Sequence, residues 1–173
     1  MAIPAIPSKI NNYNVYNVAE RLIGVGDEVP LPDFEALADT ISGAGILGEL
    51  DDPTVGHFSN MEMEIPFRVI DQEAADMMDM TKAVQLTLRA AQQTLTVEGN
   101  TECRSMRVVV RGKSATLALG SVKSGSAMES SVTLNLSYIL VEVGGESLIE
   151  LDKLNHTFKV RGVDILQKVR EMI

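Results

Sequence analysis

The sequence predicts a mainly β protein, a β-sandwich or barrel, with a short helix near residues 71–80 and a C-terminal helix near 164–172. Three observations carry this. Apolar residues alternate with polar ones over several stretches, most clearly 59–70 and 132–140. A Gly144-Gly145 pair sits between two such stretches, a strong hairpin signal. Only two segments carry the three-to-four-residue apolar spacing of a helix.

Taken in order, residues 13–18 and 21–25 read as a short hairpin. Across 59–70, Met61, Met63, Ile65, Phe67 and Val69 fall on one face and Asn60, Glu62, Glu64, Pro66 and Arg68 on the other. Proline cannot donate to a sheet ladder, so Pro66 predicts an edge or a bulge. Asp71 is placed to cap a helix over 72–80, whose Ala74, Met77 and Met78 share a face. Val84, Leu86 and Leu88 restore the two-residue period, and 106–111 and 116–119 are further strands. The small and polar residues of 120–131 read as a loop. From Val132 the pattern runs through Leu134, Leu136, Tyr138 and Leu140, while Ile139, Val141 and Val143 take the opposite phase. That strand either bulges or is covered on both sides. The glycine turn returns it into 147–151. At the C-terminus Asp164 precedes Ile165, Leu166, Val169, Met172 and Ile173, a helical stripe expected to pack on the sheet, with docking on a neighbouring copy as the second reading, and Gln167 resembles the far end of a capping box.

At 173 residues the chain fits one domain spanning 1–173. No apolar run approaches the roughly 18 residues of a membrane span, which predicts no membrane anchor. The opening MAIPAIPSKINN lacks the basic region and apolar core of a signal peptide, which predicts no export by that route. One cysteine, Cys103, excludes an internal disulfide. The net charge of −9 argues against a nucleic-acid binder. It is unevenly spread: residues 1–80 hold 3 Lys/Arg against 15 Asp/Glu, and residues 81–173 hold 12 against 9. Unlike regions of neighbouring copies could therefore meet head to tail.

The chemical motifs are thin. Residues 43–48, GAGILG, match the dinucleotide pattern GxGxxG. That pattern works only where a helix follows and sets its N-terminus on the pyrophosphate. Here Glu49-Leu50-Asp51-Asp52-Pro53 follows, with no room for a helix and with charge that repels phosphate. The glycines read instead as a mobile loop able to lie flat against another surface. His57 and His156 fall in strand-like contexts without a second ligand at metal-site spacing, and Cys103 has no CxxC partner. Asp76 and Asp79 share a face of the short helix but read as solvated, and Met77, Met78 and Met80 as core filling. No enzyme, cofactor or metal is predicted.

Long strands, a split charge and no site point to a structural role. The opening IPAIPSKINNYNVYNV, the loop ISGAGILGELDDPTVGHF and the ending SYILVEVGGESLIELDKLNHTFKVRGVDILQKVREMI resemble the major tail tube protein of contractile-tailed bacteriophages, and relatives in R-type pyocin-like bacteriocins. The likeness follows the whole chain in order. It implies subunits that close into hexameric rings and stack into a hollow inner tube, their long strands merging into one inner barrel. The implied partners are further copies of the chain, a contractile sheath protein, and tape-measure, baseplate and tail-terminator proteins. The implied location is the virion tail tube, assembled in the host bacterial cytoplasm. DNA would pass down the lumen without specific binding, an acidic wall repelling its phosphates. The family's long loops join subunits and rings, which assigns that role to Ile41, Ser42, Gly43, Ala44, Gly45, Ile46, Leu47, Gly48 and Glu49. Glu62, Glu64 and Arg68 form a polar face suited to a wall or an interface. A bacteriocin or type VI-like secretion tube is the alternative within this class. A monomeric small-ligand barrel, its cavity lined by the Met/Ile/Phe face of 61–69, is the alternative outside it.

Overall fold

Strand pairing, rather than helix packing, organises the computed structural model, which describes residues 5–18 and 20–173. The elements run β1 (Ala5–Asn17), β2 (Glu20–Arg21), β3 (Ala36–Ser42), β4 (Glu49–Phe58), β5 (Glu62–Phe67), α1 (Gln72–Asp76), β6 (Val84–Thr96), β7 (Thr101–Ala118), β8 (Ser130–Val143), β9 (Glu146–Asp152), β10 (Thr157–Val160), β11 (Val163–Asp164) and α2 (Gln167–Arg170). Residues 3 and 4 of the opening motif lie outside the described residues.

One antiparallel sheet has the order β11-β10-β9-β8-β7-β6-β1-β2. β8 is long enough to hold two partners on one edge. β5 pairs with its first half, Glu62 opposite Asn135 through Phe67 opposite Ser130. β9 pairs with its second half, Tyr138 opposite Asp152 through Val143 opposite Glu146. At the far end, the chain beyond β2 stays against β1 through Leu22 N–H donating to Val15 O (2.9 Å). It then reaches β5, where Gly26 N–H donates to Pro66 O and Arg68 N–H to Gly24 O, each at 2.8 Å. A bridge between Val25 and Phe67 completes the contact. These bonds close β5, β8, β7, β6, β1 and residues 22–26 into a barrel.

Alternation decides what fills it. Met61, Met63, Ile65 and Phe67 join Leu86, Leu88, Val108, Val110, Val132, Leu134 and Leu136 in one buried cluster, with Ala74 and Met77 of the α1 region included. Each such side chain contributes roughly 1.5–3 kcal/mol by leaving water. The face of 61–67 is thus packed core and does not line a ligand cavity. Pro66 accepts from Gly26 on the edge of β5 away from β8, so its missing N–H removes no bond from the β5–β8 ladder.

Several predicted boundaries are corrected. β5 ends at Phe67 because the next amide turns to Gly24, leaving Val69 outside the core at 54% exposure. α1 spans five residues: Asp71 caps it by accepting from Gln72 N–H, but Asp79 gathers Thr81 and Lys82 into a turn that stops it. The strands at 106–111 and 116–119 are parts of one 18-residue strand, β7, crossed by two register shifts. The phase change in β8 is a bulge: Arg111 faces Tyr138 and Gly112 faces Leu136, leaving Ser137 extra. Its hydroxyl donates to Arg111 O (3.2 Å). His156 occupies a turn at φ +49°, not a strand.

The C-terminal helix departs most from expectation. α2 has four residues, and no side chain caps it. Asp164 bonds Leu166 N–H and the Arg170 guanidinium, and Gln167 reaches forward to Glu171, so the capping box does not form. Only Leu166 of the stripe is buried; Ile165 and Val169 stay exposed, and Met172 and Ile173 are more than 80% exposed. The stripe does not pack on the sheet.

Candidate assembly surface

β3 and β4 form a sheet of their own, hydrogen-bonded to no other strand among the described residues. Thr40 faces Asp51, Ile41 faces Leu50 and Ser42 faces Glu49, and residues 43–48 turn the hairpin with Ile46 N–H donating to Gly43 O (3.1 Å). The dinucleotide-like glycines are therefore a hairpin tip with no helix after them. All the residues assigned to the assembly loop, Ile41 through Glu49, are exposed, and Leu47 is fully so.

An isolated two-stranded hairpin is marginal in water, so its base must be held. Phe34, just before β3, stacks edge-on against Phe58 at 5.6 Å, and Phe58 against Phe158 of β10 at 5.1 Å. Ser59 donates to Glu35 through its amide (2.9 Å) and its hydroxyl (3.1 Å). Lys153 donates to Ser59 O at 2.6 Å, and burial lowers the lysine's pKa. The register jumps from Ala36–Phe58 to Ala38–Pro53, so residues 54–57 bow outward. Within that bow Gly56 has φ +75°, and a Cβ there would sit 2.6 Å from Leu166 Cδ1. Leu166 thus reaches the arm's base, and Val169 and Ile173 line the same shallow cavity beside residues 55–58. Sequence reasoning overlooked these anchors. Phe34 and Phe58 flanking the glycine loop were the available signal.

The arm's electrostatics are one-sided. It carries Glu35, Asp39, Glu49, Asp51 and Asp52, and no Lys or Arg occurs between Arg21 and Arg68. Asp39 lies directly opposite Asp52, and like charges facing across a ladder oppose pairing. Thr40 donates to Asp39 through its amide (3.0 Å) and to Asp51 through its hydroxyl (2.8 Å), but the arm holds no Lys or Arg to offset the opposed pair. Leu37, Ile41, Ile46, Leu47, Leu50 and Val55 add exposed apolar surface.

The outward face of the large sheet is different. By register it carries Lys9, Arg89, Arg107, Arg111 and Lys113 on β1, β6 and β7, with the carboxylates on β5, β8, β9 and β11. Arg107 pairs with Glu142 (2.5 Å), Arg111 with Asp152 (3.3 Å) and Lys159 with Glu150 (2.9 Å). Burial pushes the Asp152 carboxyl up, but hydrogen bonds from Asn155 and Leu154 and the nearby Arg111 outweigh it, and the net shift is downward. The Arg170 guanidinium holds Asp164 below the ordinary carboxylate range.

Glu62 and Glu64 are exposed on β5 and Arg68 just beyond it, so they share a polar face but lie in a different sheet from the arm. Glu62 accepts from Asn60 (2.9 Å). Asp76 and Asp79 form no shared site: Asp76 ends α1, and Asp79 is occupied by Thr81 and Lys82, which lower its pKa to about 2. Among the described residues no cluster of His, Cys, Asp and Glu could hold a metal ion.

The family model for phage tail tube protein FII matches residues 7–173. The tail tube protein of Escherichia phage P2 is 29% identical over 179 residues, covering 98% of each chain. Among solved structures, the sheath/tube terminator of PVC, an extracellular contractile injection system, in its extended state aligns with a TM-score of 0.56 at 15% identity. That alignment covers 79% of this chain and 96% of the other, a likeness of fold. The chain belongs to the phage tail tube protein FII family, a family of structural tube proteins and not of enzymes.

Proposed function

We propose that this chain acts throughout its length as one tube domain, closing into hexameric rings that stack into the inner tube of a contractile tail. In this reading the tube is the conduit for genome delivery. The supporting observation is the β3–β4 arm, which leaves both faces and its tip uncovered while its base is fixed to the barrel. Such an arm, marginal on its own and held only at its base, gains from a surface that covers it, and a head-to-tail contact between copies that does not close along an axis builds a filament. Residues 41–49 then join subunits or rings, and Glu62, Glu64 and Arg68 contribute a polar wall or interface. The outer edge of β1 over residues 5–14 and the exposed C-terminal stripe add further surface for neighbouring copies or for the sheath. Tape-measure, baseplate and terminator proteins would set the tube's length and ends. DNA would move through the lumen unbound, and assembly would occur in the host bacterial cytoplasm.

Negative-stain electron microscopy with size-exclusion chromatography tests this. Six-fold rings or hollow tubes are expected at high protein concentration. A strictly monomeric species, even with tail scaffold components added, would overturn the reading.

A further inference from the structure

A groove of about 670 Å³ opens on the outward face of β1, β6 and β7. Its floor is low: Ala91 lies between Asn12 of β1 and Ser105 of β7, with Cys103 one pair further along. Its flanks are Arg89 and Arg107. Arg107 already has Glu142, but Arg89 sits over the Tyr16 ring (5.2 Å) and, among the described residues, neither it nor Lys9 on the same face forms a salt bridge. The groove is therefore built for something with an apolar, closely approaching tip and negative shoulders.

We propose that this occupant is the β3–β4 arm of a second copy of the chain, seated with Ile46 and Leu47 over the Ala91 floor and its acidic strands against Arg89 and Lys9. The proposal rests on the self-assembly reading above and names where one arm lands. Three observations favour it. The arm has Glu49, Asp51 and Asp52 just behind its tip and no cation of its own. Asp39 and Asp52 face each other with no Lys or Arg in the arm beside them, an opposition that counter-charge from the groove would relieve. The arm is anchored on Phe158 of β10 and on Leu166 beyond β11, whereas the groove lies toward the β1 end of the same sheet, past β9 and β8. A second copy offering its β1 side meets the arm head to tail, and this contact is heterologous, as a ring or filament requires. Complementary charge would set register and speed docking, so assembly should weaken as salt rises.

Cys103, the chain's single cysteine, reports on the groove directly. In a Leu47→Cys chain, mild oxidation of assembled tubes should give a ladder of disulfide-linked multimers, absent when Cys103→Ser is added. Arg89→Glu should cut assembly at least tenfold in rate, and adding Asp52→Lys should restore most of it. Tubes that form without the ladder, or a ladder that persists with Cys103→Ser, would overturn the seating and leave tube assembly standing. Cys103 reacting with a soluble maleimide as fast in intact tubes as in the free subunit would overturn it too. So would protection of Cys103 only when duplex DNA is added, since the groove would then face the channel. Failure of the unaltered chain to form rings or tubes would overturn the assembly reading itself, and the seating with it.

Discussion

The barrel and the arm solve the same problem in opposite ways. In the barrel every long strand finds partners within the chain, and residues 22–26 bring the sheet back onto β5. In the arm, β3 and β4 pair only with each other and bury almost nothing. The first region spends its alternation on a core; the second keeps apolar and acidic groups in water. On the proposed assembly, the contrast separates residues that make the subunit fold from residues through which subunits would meet, and substitutions should divide along the same line.

The largest effects belong to the barrel. Ile65→Ala and Leu134→Ala each remove a fully buried side chain and should cost about 2–5 kcal/mol, visible as a lower midpoint in denaturant unfolding. Leu47→Asp, at the arm's tip, should leave that midpoint within about 0.5 kcal/mol while abolishing tubes in electron micrographs. A matching loss of stability at Leu47 would erase the distinction.

Smaller effects should appear at the hinge. Phe58→Ala removes two edge-on ring contacts, each worth about 0.5–1.5 kcal/mol beyond burial. Amide exchange should then quicken across residues 36–58 while β6 and β7 stay protected. Gly56→Val combines a positive φ with a clash on Leu166, and Leu166→Ala should relieve only the clash. A substitution at Gly45 is less informative than one at Leu47, because Gly45 itself sits at φ +93° and any side chain there is strained.

The smallest predicted effect is on pH. Asp79 titrates at about 2 in the fold, held down by Thr81 and Lys82, and Asp152 and Asp164 are also lowered. A depressed carboxylate contributes stability that is complete above its unfolded pKa, near 3.9. That contribution is lost as pH falls through the folded value. Unfolding midpoints should therefore decline between about pH 4 and pH 2. The decline should be shallower in Asp164→Asn, whose starting stability is lower. These groups sit outside the arm, so the same loss should appear in a chain carrying Leu47→Asp.

What was legible in the sequence follows the same division. Period-two patterns exposed the core faces of β5, β6 and β8, because burial on one side of a strand writes itself into every second residue. The opposed phase at Ile139 left a bulge or two-sided burial open, which the register resolves as a bulge at Ser137, and Gly144-Gly145 marked the turn between β8 and β9. The helices were overread: Asp71 does cap α1, but a cap starts a helix without lengthening it and Asp79 gathers the chain into a turn, while Asp164 is taken up by Leu166 N–H and Arg170 and caps nothing. The C-terminal stripe was read as core because spacing records which side is apolar, not what covers it. Closure through residues 22–26 was invisible, since it rests on backbone bonds without an apolar pattern. The turn at 43–48 shows in its glycines, while Ile41, Ser42 and Glu49 belong to the flanking strands and the assembly role of 41–49 comes only from the family likeness. The hairpin's lift as an arm depends on contacts among Phe34, Phe58, Phe158 and Leu166, distant in sequence and without a shared period.

The account's central claim is that the barrel is self-sufficient and the arm exists for other copies. Replacing residues 42–49 by a two-residue turn tests it most directly, with thermal unfolding and electron microscopy on the same preparation. The account predicts a folded monomer with an unchanged melting temperature and no tubes. A shortened chain that still builds tubes, or one that no longer folds, would contradict it.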